Sequence, residues 1–445
     1  VLNALRRLSP VRAIFVAFTT AAWVGIGLLM LPISKRGAGG ASLIEAIFTA
    51  TSAICVTGLT IVDTASYWTP FGQVVILALI QIGGFGVMTL ATLIGLTVLG
   101  KLSLRSRLTA AVESHMEGPG GVPHVLGGIM KTTFAIEAVT ALLLTLRFWL
   151  GYGHSLPEAA WRGLFHSVSA FNNAGFALFA DNLMGFVADP WLLLPMAGAT
   201  ILGGLGFPVL QQLWRHHADL LAWTMNTRIV VIMTPLLLVG GTVFITGLEW
   251  TNPGTLGPLA WDDKLLAGFF QSVQTRTAGF NSLDIGAMHA VTLFGMDVLM
   301  FIGTGPAGTG GGIKVTTFAV LFFIIWTEVR GDTAVHIFGK RLSRAVHRQA
   351  ISVALLAVAL VVLATMIVLL LSPFRLDDVL FEVISAFGTV GLSTGITAQL
   401  DVGSQLVLCF LMYVGRLGPI TFASALALSP RKRLYELPKE RPIIG

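Results

Sequence analysis

The 445-residue chain is 55% hydrophobic and 11% charged, with a mean hydropathy of +0.82; an ordinary soluble domain has roughly 25% charged residues. A soluble enzyme or binding module is excluded as the body of this chain. The net charge of +6 would suit a nucleic-acid binder, but 18 of the 28 Lys and Arg fall in the segments through Arg12, 100–124, 214–228, 328–348 and 430–445, the distribution of loops retained on the cytoplasmic side. Both termini are expected there, and no nucleic-acid partner is.

Arg6, Arg7 and Arg12 precede an apolar stretch reaching Ile33, too long for a signal peptide and read as a retained first span. Cys55 and Cys409 lie in apolar surroundings, so no disulfide is expected. One unit then recurs four times: Phe, nine residues, Gly, then Phe or Leu, at Phe48 to Leu59, Phe165 to Phe176, Phe269 to Phe280 and Phe381 to Leu392. A single match is meaningless among 28 Phe and 50 Gly, but these glycines stand 104 to 117 residues apart in matching surroundings. Each copy follows an apolar span (12–33, 125–151, 227–248, 345–371) and precedes another (69–99, 188–214, 288–327, 401–428). The segments between, 42–54, 157–171, 261–274 and 377–387, are shorter than the ~20 residues that cross a bilayer and read as re-entrant helices. Pro157, Asp262-Asp263 and Asp377-Asp378 suit their N-termini.

The predicted fold is an all-α polytopic membrane protein of four span, pore-loop, span repeats, with eight transmembrane helices, four re-entrant pore helices and pseudo-fourfold symmetry. Repeat 1 covers 12–99, repeat 2 covers 125–214, repeat 3 covers 227–330 and repeat 4 covers 345–428, leaving a tail at 429–445.

A second signature follows each loop glycine, at Ile82-GGFG, Leu202-GGLG, Ile302-GTG-Pro306 and Val414-GRLG. Recurrence in register argues for a shared interior position, although small residues also serve plain helix packing. In the third copy Gly303, Gly305, Gly308, Gly310, Gly311 and Gly312 with Pro306 make a continuous helix implausible, at about 1 kcal/mol per Gly and ~3 for Pro. Lys314 closes that stretch, tethered to carbonyls or a carboxylate, or snorkelling. Arg416 replaces a glycine in the fourth copy; its charge costs roughly 2.5–3.5 kcal/mol at a helix centre, so it faces inward. It either repels ions in the path or pairs internally, with Glu137 as one partner. Arg276 is expected behind its loop, donating to carbonyls or an acid, and Glu45, Glu158 and Glu382 near the outer ends of the short helices.

Irregular backbone inside a bilayer must be buried in protein or line water. Four converging loops satisfy that condition and offer carbonyl oxygens in place of a cation's water shell. The residues before the glycines, Val56-Thr57, Asn173-Ala174, Thr277-Ala278 and Thr389-Val390, are neutral, which favours a monovalent cation.

These loops, as CVTGL at 55–59, NNAGF at 172–176, TRTAGF at 275–280 and GTVGLS at 388–393, resemble those of the Ktr/Trk/HKT superfamily of potassium-transporting subunits. The resemblance implies a selectivity filter made by Val56, Thr57, Gly58, Leu59, Asn173, Ala174, Gly175, Phe176, Thr277, Ala278, Gly279, Phe280, Thr389, Val390, Gly391 and Leu392, with potassium held by backbone carbonyls. It implies an intramembrane gate built from the third-copy glycines, Lys314 and Arg416. The start directly at the first repeat resembles the bacterial Ktr-type subunit, for which a homodimer in the plasma membrane on a cytoplasmic nucleotide-binding ring of RCK type is implied. No nucleotide-binding motif is visible here, so nucleotide would act through that partner; some relatives also require sodium. The function expected is potassium uptake. The alternative is a sodium- or proton-coupled symporter, disfavoured because the repeats run in one direction. No nucleophile or metal-ligand spacing suggests an enzyme.

Overall fold

The computed structural model describes residues 10–100, 122–216, 219–332 and 334–418. Arg6, Arg7, the basic segment 101–121, Pro419, the last stretch 419–428 and the tail 429–445 lie outside the described residues.

Repeat 1 comprises α1 (Pro10–Leu29), the short helix α2 (Leu43–Ile54), a turn α3 (Thr64–Tyr67) and α4 (Pro70–Gly100). Repeat 2 comprises α5 (Val122–Leu146), α6 (Leu156–Phe171), α7 (Pro190–Leu205) and α8 (Phe207–Arg215). Repeat 3 comprises α9 (Met225–Glu249), α10 (Trp261–Thr275), α11 (Ala290–Phe301) and α12 (Val315–Arg330). Repeat 4 comprises α13 (Arg344–Leu371), α14 (Leu376–Gly388) and α15 (Val402–Leu417). Among the described residues α5, α9 and α13 are each long and apolar enough to cross a membrane, and α7 with α8 passes the same test only as a pair, bent by 97°. Trp23, Leu142, Val243, Leu355 and Leu370 are exposed on the outer helices, an apolar surface suited to lipid rather than water.

The short helices begin where their sequences supply caps. Ser42 and Glu45 form a reciprocal capping box on α2, Pro157 opens α6, and paired acids occupy the first turns of α10 and α14, where the helix dipole favours negative charge. Within each repeat the short helix lies between its two spans. Between repeats one contact recurs: α4 on α6, α7 on α10, α11 on α14 and α15 on α2. The last of these closes the ring, so the four repeats surround one axis.

The second glycine signature explains how the spans come so close to the short helices. A Cβ on Gly83, Gly203 or Gly415 would overlap the carbonyl oxygen of Ile54, Phe171 or Phe387, three equivalent positions near the ends of α2, α6 and α14. Gly303 departs from this rule and lies against Gly311 O of its own loop.

Two expectations need correction. The span 188–214 is not continuous: Gly206, at φ 89°, ends α7 and Pro208 starts α8, because glycine reaches this torsion without a Cβ penalty and proline suits a first turn. The all-helical architecture carries one small addition, an antiparallel hairpin of His336–Ile337 and Lys340–Arg341 between repeats 3 and 4. Glu382 belongs to the buried body of α14 rather than to its start.

Replacing Gly203 with Val should force α7 away from α6. Overpacking of this kind costs about 1–3 kcal/mol, and a lowered unfolding temperature of detergent-purified protein, with Gly27→Val at an open position as the comparison, checks it.

Candidate ion-conducting site

Each short helix ends in a loop with the same backbone pattern. The residue two before the glycine and the glycine itself both have positive φ: Val56 at 55° and Gly58 at 92°, Asn173 at 59° and Gly175 at 69°, Thr277 at 69° and Gly279 at 75°, Thr389 at 49° and Gly391 at 96°. Alternating left-handed residues with ordinary ones turns successive carbonyls toward one side instead of opposite sides. Glycine takes this torsion freely, but Val, Asn and Thr take it at a cost of order 1–3 kcal/mol. These non-glycine positions were not marked by the sequence.

The loops meet around the axis. A Cβ on Gly58 would overlap Ala174 O, one on Gly175 would crowd Ala278 O, one on Gly279 would overlap Val390 O, and one on Gly391 would overlap Thr57 O. Every glycine thus abuts the carbonyl just before the glycine of the next loop, in the order 1, 2, 3, 4 and back to 1. Val56, Thr57, Asn173, Ala174, Thr277, Ala278, Thr389 and Val390 are buried, as are Leu59, Phe176, Phe280 and Leu392 behind them. The ring presents neutral oxygen dipoles, and among the described residues no cluster of three His, Cys, Asp or Glu suits a metal ion. Such a ring can replace part of the hydration shell of a monovalent cation.

Serines that sequence reasoning passed over hold the loops in place. Ser52 Oγ accepts from Gly58 N and Ser385 Oγ from Gly391 N, both at 3.1 Å, while Ser169 Oγ donates to Phe176 O at 2.9 Å. The signal was available, since three of the four copies carry Ser six residues before the glycine and the third carries Val273.

The glycine-rich segment between α11 and α12 lies directly against the loop ends. A Cβ on Gly310 would overlap Thr277 Oγ1 and one on Gly311 would overlap Thr389 Oγ1. The segment is held mainly through its backbone. Gly305 N donates to Gly204 O at 2.9 Å, Thr309 N to Gly203 O at 3.1 Å and Gly303 N to Ile313 O at 2.8 Å, and Gly308 N closes a turn on Gly305 O at 3.1 Å. Thr309 Oγ1 also lies 3.0 Å from the Asn173 amide. Lys314 Nζ donates to Gly310 O, so it tethers the segment through a carbonyl. Gly312, at φ 65°, turns the chain toward α12.

Arg416 is buried and donates to Thr309 O in this segment and, at 2.9 Å, to Gly83 O in α4. The expected internal pair with Glu137 is absent: Glu137 accepts from Gln81 Nε2 at 3.3 Å and Asn172 Nδ2 at 3.0 Å. Carbonyls supply acceptors for the terminal nitrogens of the desolvated guanidinium without a second buried charge, while its Nε has no partner. Arg276 behaves alike, donating to Gly303 O at 3.0 Å and to Thr234 O at 3.5 Å. At the other end of the ring, Glu45 accepts from Tyr67 Oη at 2.6 Å, and burial together with that bond raises the Tyr67 phenol above its usual range. Glu158 is engaged by Arg162 at 2.6 Å.

Residues 34–436 match the TrkH family, described as cation transport protein. The chain is 40% identical to Ktr system potassium uptake protein B of Vibrio alginolyticus, over 94% of this chain and 91% of that protein. It is 38% identical to the Bacillus subtilis protein of the same name, over 96% and 95%. The fold is similar to that of the potassium transporter TrkH from Vibrio parahaemolyticus, with a TM-score of 0.75 at 17% identity, covering 95% of this chain and 86% of the other. A ring of neutral carbonyls at the centre of a multi-pass helical bundle and a family match spanning most of the sequence agree: this chain belongs to the TrkH family of cation transport proteins.

Proposed function

We propose that the chain is the pore of a potassium uptake system, admitting potassium through the ring of four loops and stopping it at the glycine-rich segment. The observation that carries this reading is the cyclic contact of Gly58, Gly175, Gly279 and Gly391 with the carbonyls of Ala174, Ala278, Val390 and Thr57. Dipoles without fixed negative charge favour a monovalent ion, and the potassium uptake named for the two relatives selects potassium. Entry is driven by the membrane potential, worth about 2.3 kcal/mol per charge per 100 mV.

The bias of Lys and Arg supports a plasma-membrane orientation with both termini in the cytoplasm. The short helices then descend from outside and aim the negative ends of their dipoles at the ion below the ring. The segment from Gly303 to Lys314 lies on the cytoplasmic side of the loops and acts as the gate, clamped by Arg416 and Arg276. Release of the clamp is assigned to a cytoplasmic nucleotide-binding ring, and a second copy of the chain completes a homodimer. Both relatives are named as protein B of a Ktr system, a name for one part of a larger assembly, which fits this division of labour. Sodium enters the proposal only as an activator.

Reconstituted in potassium-loaded liposomes, the chain should exchange rubidium at least about tenfold faster than sodium; equal rates overturn the filter. Gly279→Ala should abolish this preference, because its Cβ strains the backbone and displaces Val390 O. Arg416→Ala should free Thr309 O and raise the maximal rubidium flux several-fold, since hydrogen bonds to charged groups are worth about 1.5–3 kcal/mol. Unchanged flux through folded protein rejects the clamp.

A further inference from the structure

The four short helices carry different residues immediately after the repeated phenylalanine: Thr49, His166, Phe270 and Glu382. Two of these make the same contact. His166 Nε2 accepts from Leu178 N at 3.2 Å and Glu382 Oε1 accepts from Thr394 N at 3.0 Å. In both repeats the donor is the third residue beyond the loop glycine, where the chain leaves the ring. His166 Nδ1 meets Arg162 O at 2.7 Å; a carbonyl can only accept, so Nδ1 carries the proton and Nε2 is free for Leu178. Glu382 gathers two further donors, Ser393 Oγ and, at 2.7 Å, Thr397 Oγ1. His166 and Glu382 are fully buried.

Repeats 1 and 3 lack this device. Thr49 Oγ1 finds no hydrogen-bond partner, and Phe270 offers no acceptor. In the cyclic order the second and fourth loops stand opposite each other.

We propose that His166 and Glu382 are positioning residues that fix the exits of the second and fourth loops, so that the ring is fastened across one diagonal and yields across the other. The inference rests on the reading of these loops as an ion filter and adds the residues that set its diameter. A buried acceptor aimed at a backbone N–H holds that strand at one distance from the helix. Without it the strand relaxes outward, and the carbonyls beneath it lose the spacing that distinguishes potassium from sodium. The first and third loops then have room to adjust as each ion passes.

The test uses the full chain in liposomes and reads the ratio of rubidium to sodium flux together with the concentration giving half-maximal flux. Glu382→Leu and His166→Leu should each lower the ratio about tenfold, as expected for the loss of one buried hydrogen bond at a selective site. Glu382→Gln retains an acceptor oxygen and should restore the ratio to within about twofold, whereas Thr49→Val should leave it unchanged. Should Glu382→Leu fail to fold, Glu382→Asp keeps the carboxyl group but is one methylene too short to reach Thr394 N, and it should lose selectivity likewise. A selective wild type with equally selective Leu or Asp variants overturns the brace alone. A wild type that passes both ions equally overturns the filter reading and the brace with it.

Discussion

Everything in this molecule is arranged around a backbone that has to alternate its handedness four times within a bilayer. An alternating strand cannot satisfy its own carbonyls, and lipid offers them no donor. The solution is to bring four such strands together, seal them behind short helices and enclose those helices in spans that bury what lipid would penalise. The glycines at 83, 203 and 415 follow from the same constraint, because a span bearing even a methyl there would push a short helix off the ring. The geometry of the ring and the stability of the fold therefore draw on the same close contacts.

The repeats share this scaffold but divide the work. The third copy gives up the close approach of its second span and uses its glycines for a segment beneath the ring. The second copy breaks at Gly206, and the carbonyls of Gly203 and Gly204 receive the N–H groups of that segment. The fourth supplies Arg416, which reaches Gly83 in the first. The segment is thus held directly by the second, third and fourth repeats and, through Arg416, is tied to the first.

The bounds of the short helices were legible to within about two residues because capping acids, prolines and the repeated Phe and Gly mark them independently. The loop glycines were legible for the same reason. What stayed hidden was conformational or relational. Val56, Asn173, Thr277 and Thr389 take left-handed torsions that their side chains do not advertise. The break at Gly206 resembled one more small residue in a packing motif, and the partners of Arg416 are backbone carbonyls, which no residue pattern records. The bracing serines left a trace in three copies, visible only when the repeats are aligned on their glycines.

The fastening of the Gly303–Lys314 segment also bears on how this protein can change over time. Its hydrogen bonds run mostly from main chain to main chain, so they survive exchange of the side chains on either partner. Mutation can spoil the segment by adding bulk where Gly310 or Gly311 meets a threonine, but it cannot easily loosen it by deletion. Adjustable strength resides in the arginines and Lys314, which leaves selection a few charged side chains with which to tune the hold on the segment while the main-chain fastening stays constant.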